Sequence, residues 1–114
     1  MWRILEHPDF ASERVELPDD VSDKLDAIIL ALSRVGPQLG RPHVDTLKGS
    51  KHPNMKEIRV AAGGAWRFAF AFDVRRNAVI LCGANKEGTA EGRFYRSLTR
   101  KADLRFDDWL AAEE

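Results

Sequence analysis

The stretch "AWRFAFAF", Ala65 to Phe72, alternates strictly: Trp66, Phe68, Phe70 and Phe72 take one set of positions, Arg67, Ala69 and Ala71 the other. Strand side chains point to opposite faces in turn, so this is a strand with a row of large aromatics on one face and an arginine followed by small residues on the other. The aromatic row predicts packing against helices. The preceding "MKEIRV" (55–60) alternates too, Ile58 and Val60 against Glu57 and Arg59, and "AVILCG" (78–83) reads as a third strand. The connections "AAGG" and "DVRRN" are short enough for an antiparallel meander. With the aliphatic and aromatic faces together, Arg59 and Arg67 project from the opposite, open face, and the alanines form a shallow floor between cations.

Outward from this meander, "WRILEH" (2–7) reads as a short strand, and Pro8 and Asp9 open a helical turn through Phe10 and Val15. In "LPDDVSDKLDAIILALSRVGPQLG" (17–40), Val21, Leu25, Ile28, Leu32 and Val35 fall on one helical stripe, Asp19 or Asp20 is placed to cap it, and Gly36 and Pro37 stop it. Gln38 to Pro53 reads as a long loop, a kind of segment that often carries function. The final helix is "AEGRFYRSLTRKADLRFDDWLAAEE" (90–114), with Phe94, Leu98, Ala102, Phe106, Trp109 and Leu110 as its apolar stripe. Arg93, Arg96, Arg100 and Lys101 load its first half with charge, and Tyr95 stands among them, off the stripe. The expectation is one α+β domain over residues 1–114, an antiparallel twisted sheet of about four strands packed on N-terminal helices, with a C-terminal helix.

A chain of 114 residues fits one domain. The opening "MWRILEHPDF" lacks the apolar core of a signal peptide, and eighteen apolar residues never run together, so a cytoplasmic protein with no membrane partner is expected. The single cysteine, Cys82, excludes an internal disulfide and a cysteine-based zinc cluster; its setting "VILCG" marks a buried, inert thiol. Formal net charge is zero, but it is segregated: residues 41–101 carry thirteen bases against five acids, while the flanks 1–40 and 102–114 are each acidic by four. A patch of that kind attracts polyanions.

Phosphate loops and metal sets are poorly supported. "GANKEG" lacks the spacing of a phosphate-binding loop, and His7, His43 and His52 show no paired spacing with one another or with a cysteine, so all three read as surface residues and no metal or other cofactor is expected. What remains is a cationic constellation: Lys48, Lys51, Lys56, Arg59, Arg67, Lys86 and the Arg93 to Lys101 cluster, with Tyr95 and His52 able to exchange protons. RNA is cut without a metal when its 2′-hydroxyl attacks the adjacent phosphate. Such a site needs a base at the 2′-oxygen, a proton donor for the leaving 5′-oxygen, and fixed cations for the charge growing on phosphorus-bound oxygens. The same cations would equally serve a surface that only binds phosphate.

The order helix, basic loop, "LKGSKHPNMKEIRV" (47–60), "GGAWRFAFAFD" (63–73), "VILCGANKEG" (79–88) and "RFYRSLTRKADLRF" (93–106) resembles the RelE/HigB family of bacterial type II toxins, in particular its phage-derived HigB-like branch. The resemblance covers Leu17 to Leu110. It implies a small α+β toxin that cleaves messenger RNA on the ribosome without a metal and is neutralised by a helix-turn-helix, HigA-like antitoxin. By position it implies that Arg59 and Arg67 hold the scissile phosphate, and that Lys86 and Tyr95 complete the catalytic set. It assigns Lys48, Lys51, His52 and Lys56, with Arg93 and Arg96, to RNA, and leaves His43 and His52 as acid or base candidates. Related sequences often carry Gly-Asp-Lys where this chain has Ala84, Asn85 and Lys86, so a carboxylate that would orient the lysine is missing. Two other readings suit the same fold: a ParE-like inhibitor of DNA gyrase that is not a nuclease, and an inactive partner of a DNA-binding antitoxin.

Overall fold

The computed structural model describes residues 1–113. Strand β1 (Arg3–Glu6) leads into helices α1 (Pro8–Arg14) and α2 (Asp19–Val35), a 3-10 turn (Gly36–Gln38), strands β2 (Val44–Thr46), β3 (Met55–Ala61), β4 (Ala65–Phe72) and β5 (Asn77–Asn85), and helix α3 (Glu91–Ala112). The five strands form one sheet in the order β1-β5-β4-β3-β2. The meander is antiparallel as its short turns require, and β1 joins β5 in parallel, with Arg3 opposite Asn77. The sheet thus gains a fifth strand at the edge beside β3: β2, three residues from the segment read as loop, pairs Val44 to Ile58 and Thr46 to Lys56. Three residues are too few to show a period, which is why the sequence hides them.

On one face, Phe68, Phe70 and Phe72 meet Phe10 of α1 and Val21, Leu25, Ile28 and Leu32 of α2, all buried. The helical stripe is right except at its end, where Val35 is 47% exposed. Neither Asp19 nor Asp20 caps α2: the cap position is Pro18, with no side-chain hydrogen bond, and Asp20 instead accepts from the N–H of Val21.

The opposite face is not open. Helix α3 lies on it, packing Phe94, Leu98, Ala102 and Phe106 against Ala69, Ala71, Val79 and Leu81. Ala69 and Ala71 are completely buried. The alanines are therefore no floor between cations; their lack of bulk lets the helix approach the sheet. A bulge opposite the Ala69–Phe70 step, where Ala69 pairs with Cys82 and Phe70 with Ile80, sends both Leu81 and Cys82 to the α3 side. The Cys82 thiol donates to the Leu98 carbonyl, and burial pushes its pKa up to about 12, so it is inert as expected. His7 departs from its reading as a surface residue: it is 3% exposed, its Nδ1 accepts from the Asp9 N–H to cap α1, and its Nε2 lies 3.0 Å from Asp108 of α3.

Among the described residues no helix is long and apolar enough to cross a membrane.

Candidate active site

The two strand arginines lie on the α3 face of the sheet, beside the first turns of that helix. Arg59 of β3 and Arg67 of β4 face each other in register. One step along β3 lies Glu57, opposite Ala69, on the same face and 3% exposed. Its carboxylate joins the cations: Oε2 accepts from Arg59 Nε at 3.3 Å and Nη2 at 3.1 Å, while Oε1 stands 3.7 Å from Arg67 Nε. Tyr95, on the first turns of α3, bridges the rest, donating its hydroxyl hydrogen to Glu57 Oε1 at 2.9 Å and accepting from Arg67 Nε at 3.2 Å. Arg67 also donates to the Trp66 carbonyl, and Arg59 reaches Asp45 at 3.4 Å. A chain of donors therefore runs from Arg67 through Tyr95 to Glu57, and Arg59 donates to the same carboxylate.

The sequence gives no sign of this use of Glu57 beyond its place on the arginine face. Buried carboxylates need partners, and an acid on the same face as two strand arginines is the signal that finds it. It neutralises part of their mutual repulsion, bonds Arg59 directly and reaches Arg67 through the Tyr95 hydroxyl. Burial raises the pKa of Tyr95, the Glu57 bond pulls in the same direction, and the bond from Arg67 opposes them. The phenol accordingly keeps its proton.

These groups line a cleft of ≈ 400 Å³ together with Lys48 of the basic loop and Lys86 just beyond β5. Lys86 donates to Glu91 at 3.0 Å and stands 6.0 Å from the Tyr95 ring centre, and its own N–H bonds the Ala65 carbonyl. Asn85, which replaces the expected acid, accepts from the N–H groups of Ala65 and Glu87 and so fixes the turn that carries Lys86.

The rest of the cationic set divides. Lys48 and Tyr95 also border a second cleft, ≈ 480 Å³, along α3, where Arg96 and Lys51 lie. Lys51 and His52 are tied to α3: both pair with Asp107, His52 at 2.8 Å, and the His52 ring packs edge-on against Phe106. Lys56 does not join the site, because its position opposite Phe70 puts it on the α2 side of the sheet. Arg93 sits apart as well, beside Gly83 and Ala84 at the end of β5. His43 is exposed behind Arg59, whose N–H its carbonyl accepts. Among the described residues no three His, Cys, Asp or Glu side chains gather to hold a metal ion.

A family model described as phage-derived protein Gp49-like matches residues 13–107, most of the chain and the whole site. This chain belongs to the Gp49-like, phage-derived family. Two Mycobacterium tuberculosis proteins resemble it in sequence: one named "Putative toxin HigB3" is 45% identical over 82 residues, 72% of this chain and 70% of that protein, and one named "Putative toxin HigB2" is 42% identical over 90 residues. That alignment takes in 77% of this chain but only 44% of the second relative. An arginine-substituted variant of the Escherichia coli toxin RelE, solved in the free state, superposes with a TM-score of 0.64 at 13% identity, over 88% of this chain and 95% of that one. The sheet with helices on both faces is thus the RelE fold, and the family is HigB-like.

Proposed function

We propose that this HigB-like protein is the toxin of a type II toxin–antitoxin pair and an endoribonuclease that cuts messenger RNA on the ribosome and halts translation. The observation that carries the reading is the Arg67–Tyr95–Glu57–Arg59 network, which presents two oriented guanidinium groups and a protonated phenol in one cleft. The guanidinium groups grip a phosphate's non-bridging oxygens and stabilise the charge that accumulates there. The 2′-oxygen bonds to phosphorus as it loses its proton, the bond to the 5′-oxygen breaks, and Tyr95 protonates that leaving oxygen. The products are a 2′,3′-cyclic phosphate and a 5′-hydroxyl. Lys86 adds charge over the Tyr95 ring, and Lys48, which lines the same cleft, is the proposed acceptor of the 2′-proton. Cytoplasmic action and neutralisation by a helix-turn-helix, HigA-like antitoxin complete the proposal.

The test is a defined mRNA incubated with purified protein, with and without ribosomes. Cleavage that needs ribosomes, persists in a metal chelator and leaves cyclic phosphate ends is the expected result. Intact mRNA under both conditions, with inhibition of purified DNA gyrase, would replace the nuclease by the gyrase-inhibitor reading.

A further inference from the structure

Arg59 and Arg67 border a second, larger space. They are also among the lining of a groove of ≈ 670 Å³ whose floor is apolar, with Ile28 and Ala31 of α2, Leu39 and Val60. The groove exists because β2 is short. It pairs with β3 only as far as Ile58, and the His43 carbonyl takes the N–H of Arg59, so beyond that point the outer edge of β3 has no neighbouring strand. Ala65, opposite Ala61, turns its own N–H and carbonyl toward Asn85 and Lys86 on the β5 side. Antiparallel alternation then directs the N–H and carbonyl of Ala61 outward into the groove, where Lys24 already donates to that carbonyl at 2.8 Å.

We propose that this groove is a nucleobase pocket: the base of the nucleotide whose phosphate sits on Arg59 and Arg67 packs on the apolar floor, with its polar edge toward the Ala61 backbone. The inference rests on the nuclease reading and adds to it a determinant of sequence preference. Three observations choose a nucleotide as the occupant. The same two arginines line both the groove and the phosphate cleft. Its rim is cationic, with Lys24 beside those arginines and no acid in the lining. An apolar floor next to a backbone donor and acceptor matches a base, which has an apolar face and a polar edge.

The test is titration of the full-length protein by NMR with the four nucleoside 3′-monophosphates and with ribose 5-phosphate as the probe lacking a base. The expected result is that at least one nucleotide binds roughly tenfold more tightly than ribose 5-phosphate, within the range a packed base contributes, with shifts at Ala31, Val60 and Ala61. Ala27→Trp, at an exposed position of α2 on the groove's rim, should erase that advantage and leave ribose 5-phosphate binding unchanged. Equal affinity for all five probes, shifts confined to the Tyr95 side, or an advantage that survives Ala27→Trp would overturn the pocket while leaving the nuclease reading intact. Failure of every phosphate to bind, with Arg67→Ala indistinguishable from wild type, would remove the phosphate site itself and the pocket with it. Shifts at the Ala61 edge produced by an extended acidic peptide but by no nucleotide would assign the groove to a protein partner instead.

Discussion

At the scale of single residues, the site depends on one carboxylate holding two arginines. Removing one partner of a buried, hydrogen-bonded charge cluster leaves the others unpaired, so Glu57→Ala should lower stability by about 3 kcal/mol in urea denaturation. Tyr95→Phe keeps the ring and loses only the hydroxyl; it should cost about 1 kcal/mol of stability but roughly a hundredfold in cleavage rate. A loss of stability as large as that of Glu57→Ala, with cleavage unchanged, would make Tyr95 structural only. Tyr95 is the sole tyrosine, so its ionisation can be followed by ultraviolet absorbance without overlap. Burial, reinforced by Glu57, raises its pKa, so the titration midpoint should lie above the ordinary value of about 10. Whatever the half-buried phenol contributes to stability is therefore complete below that ordinary value and is lost as pH rises through the folded-state pKa. A midpoint at or below that of an exposed tyrosine would contradict the network.

At the scale of elements, the sheet is a spacer with different jobs on its two faces. Large aromatics on one face hold α1 and α2; alanines on the other admit α3, whose first turns then carry Tyr95 to the arginines. Ala69→Leu, beneath α3, should therefore destabilise the fold by about 1–3 kcal/mol and also reduce cleavage by displacing the helix that bears Tyr95. Full activity with intact stability would mean that the helix is not seated there. The period-two pattern made β3, β4 and β5 legible from the sequence, as the 3.6-residue stripe did α2 and α3. Neither period says which helix covers which face, and this is why the arginine face was expected to be open. The site was legible as a set of cations, Arg59 and Arg67 above all. What converges on them was not: Lys56 is excluded by the alternation itself, whereas Lys51 and His52 are drawn away by Asp107, an acid fifty-five positions beyond His52. Asp107→Asn should release that loop, seen as faster hydrogen exchange around Lys48 to His52. Unchanged exchange would show that the loop is held by other contacts.

At the scale of the whole molecule, acid stability should reflect the carboxylates that the fold ties down. Burial alone would raise the pKa of Asp73, but donors from Asn77, Trp109 and the Arg75 N–H outweigh it and hold the group below its usual range. A depressed carboxylate stabilises the fold above its unfolded pKa of about 3.9 and loses that contribution as pH falls through the folded-state value. Stability should then fall steeply below about pH 4, and less steeply in Asp73→Asn. The central claim concerns what the protein does to RNA, and its most direct test is transcript-end mapping after induction of the protein without an antitoxin, alongside a folded Arg67→Ala variant. Growth arrest with new 5′-hydroxyl ends inside translated messages, both lost in the variant, is the expected result; arrest with intact messages, or the same cuts from Arg67→Ala, would contradict the nuclease assignment.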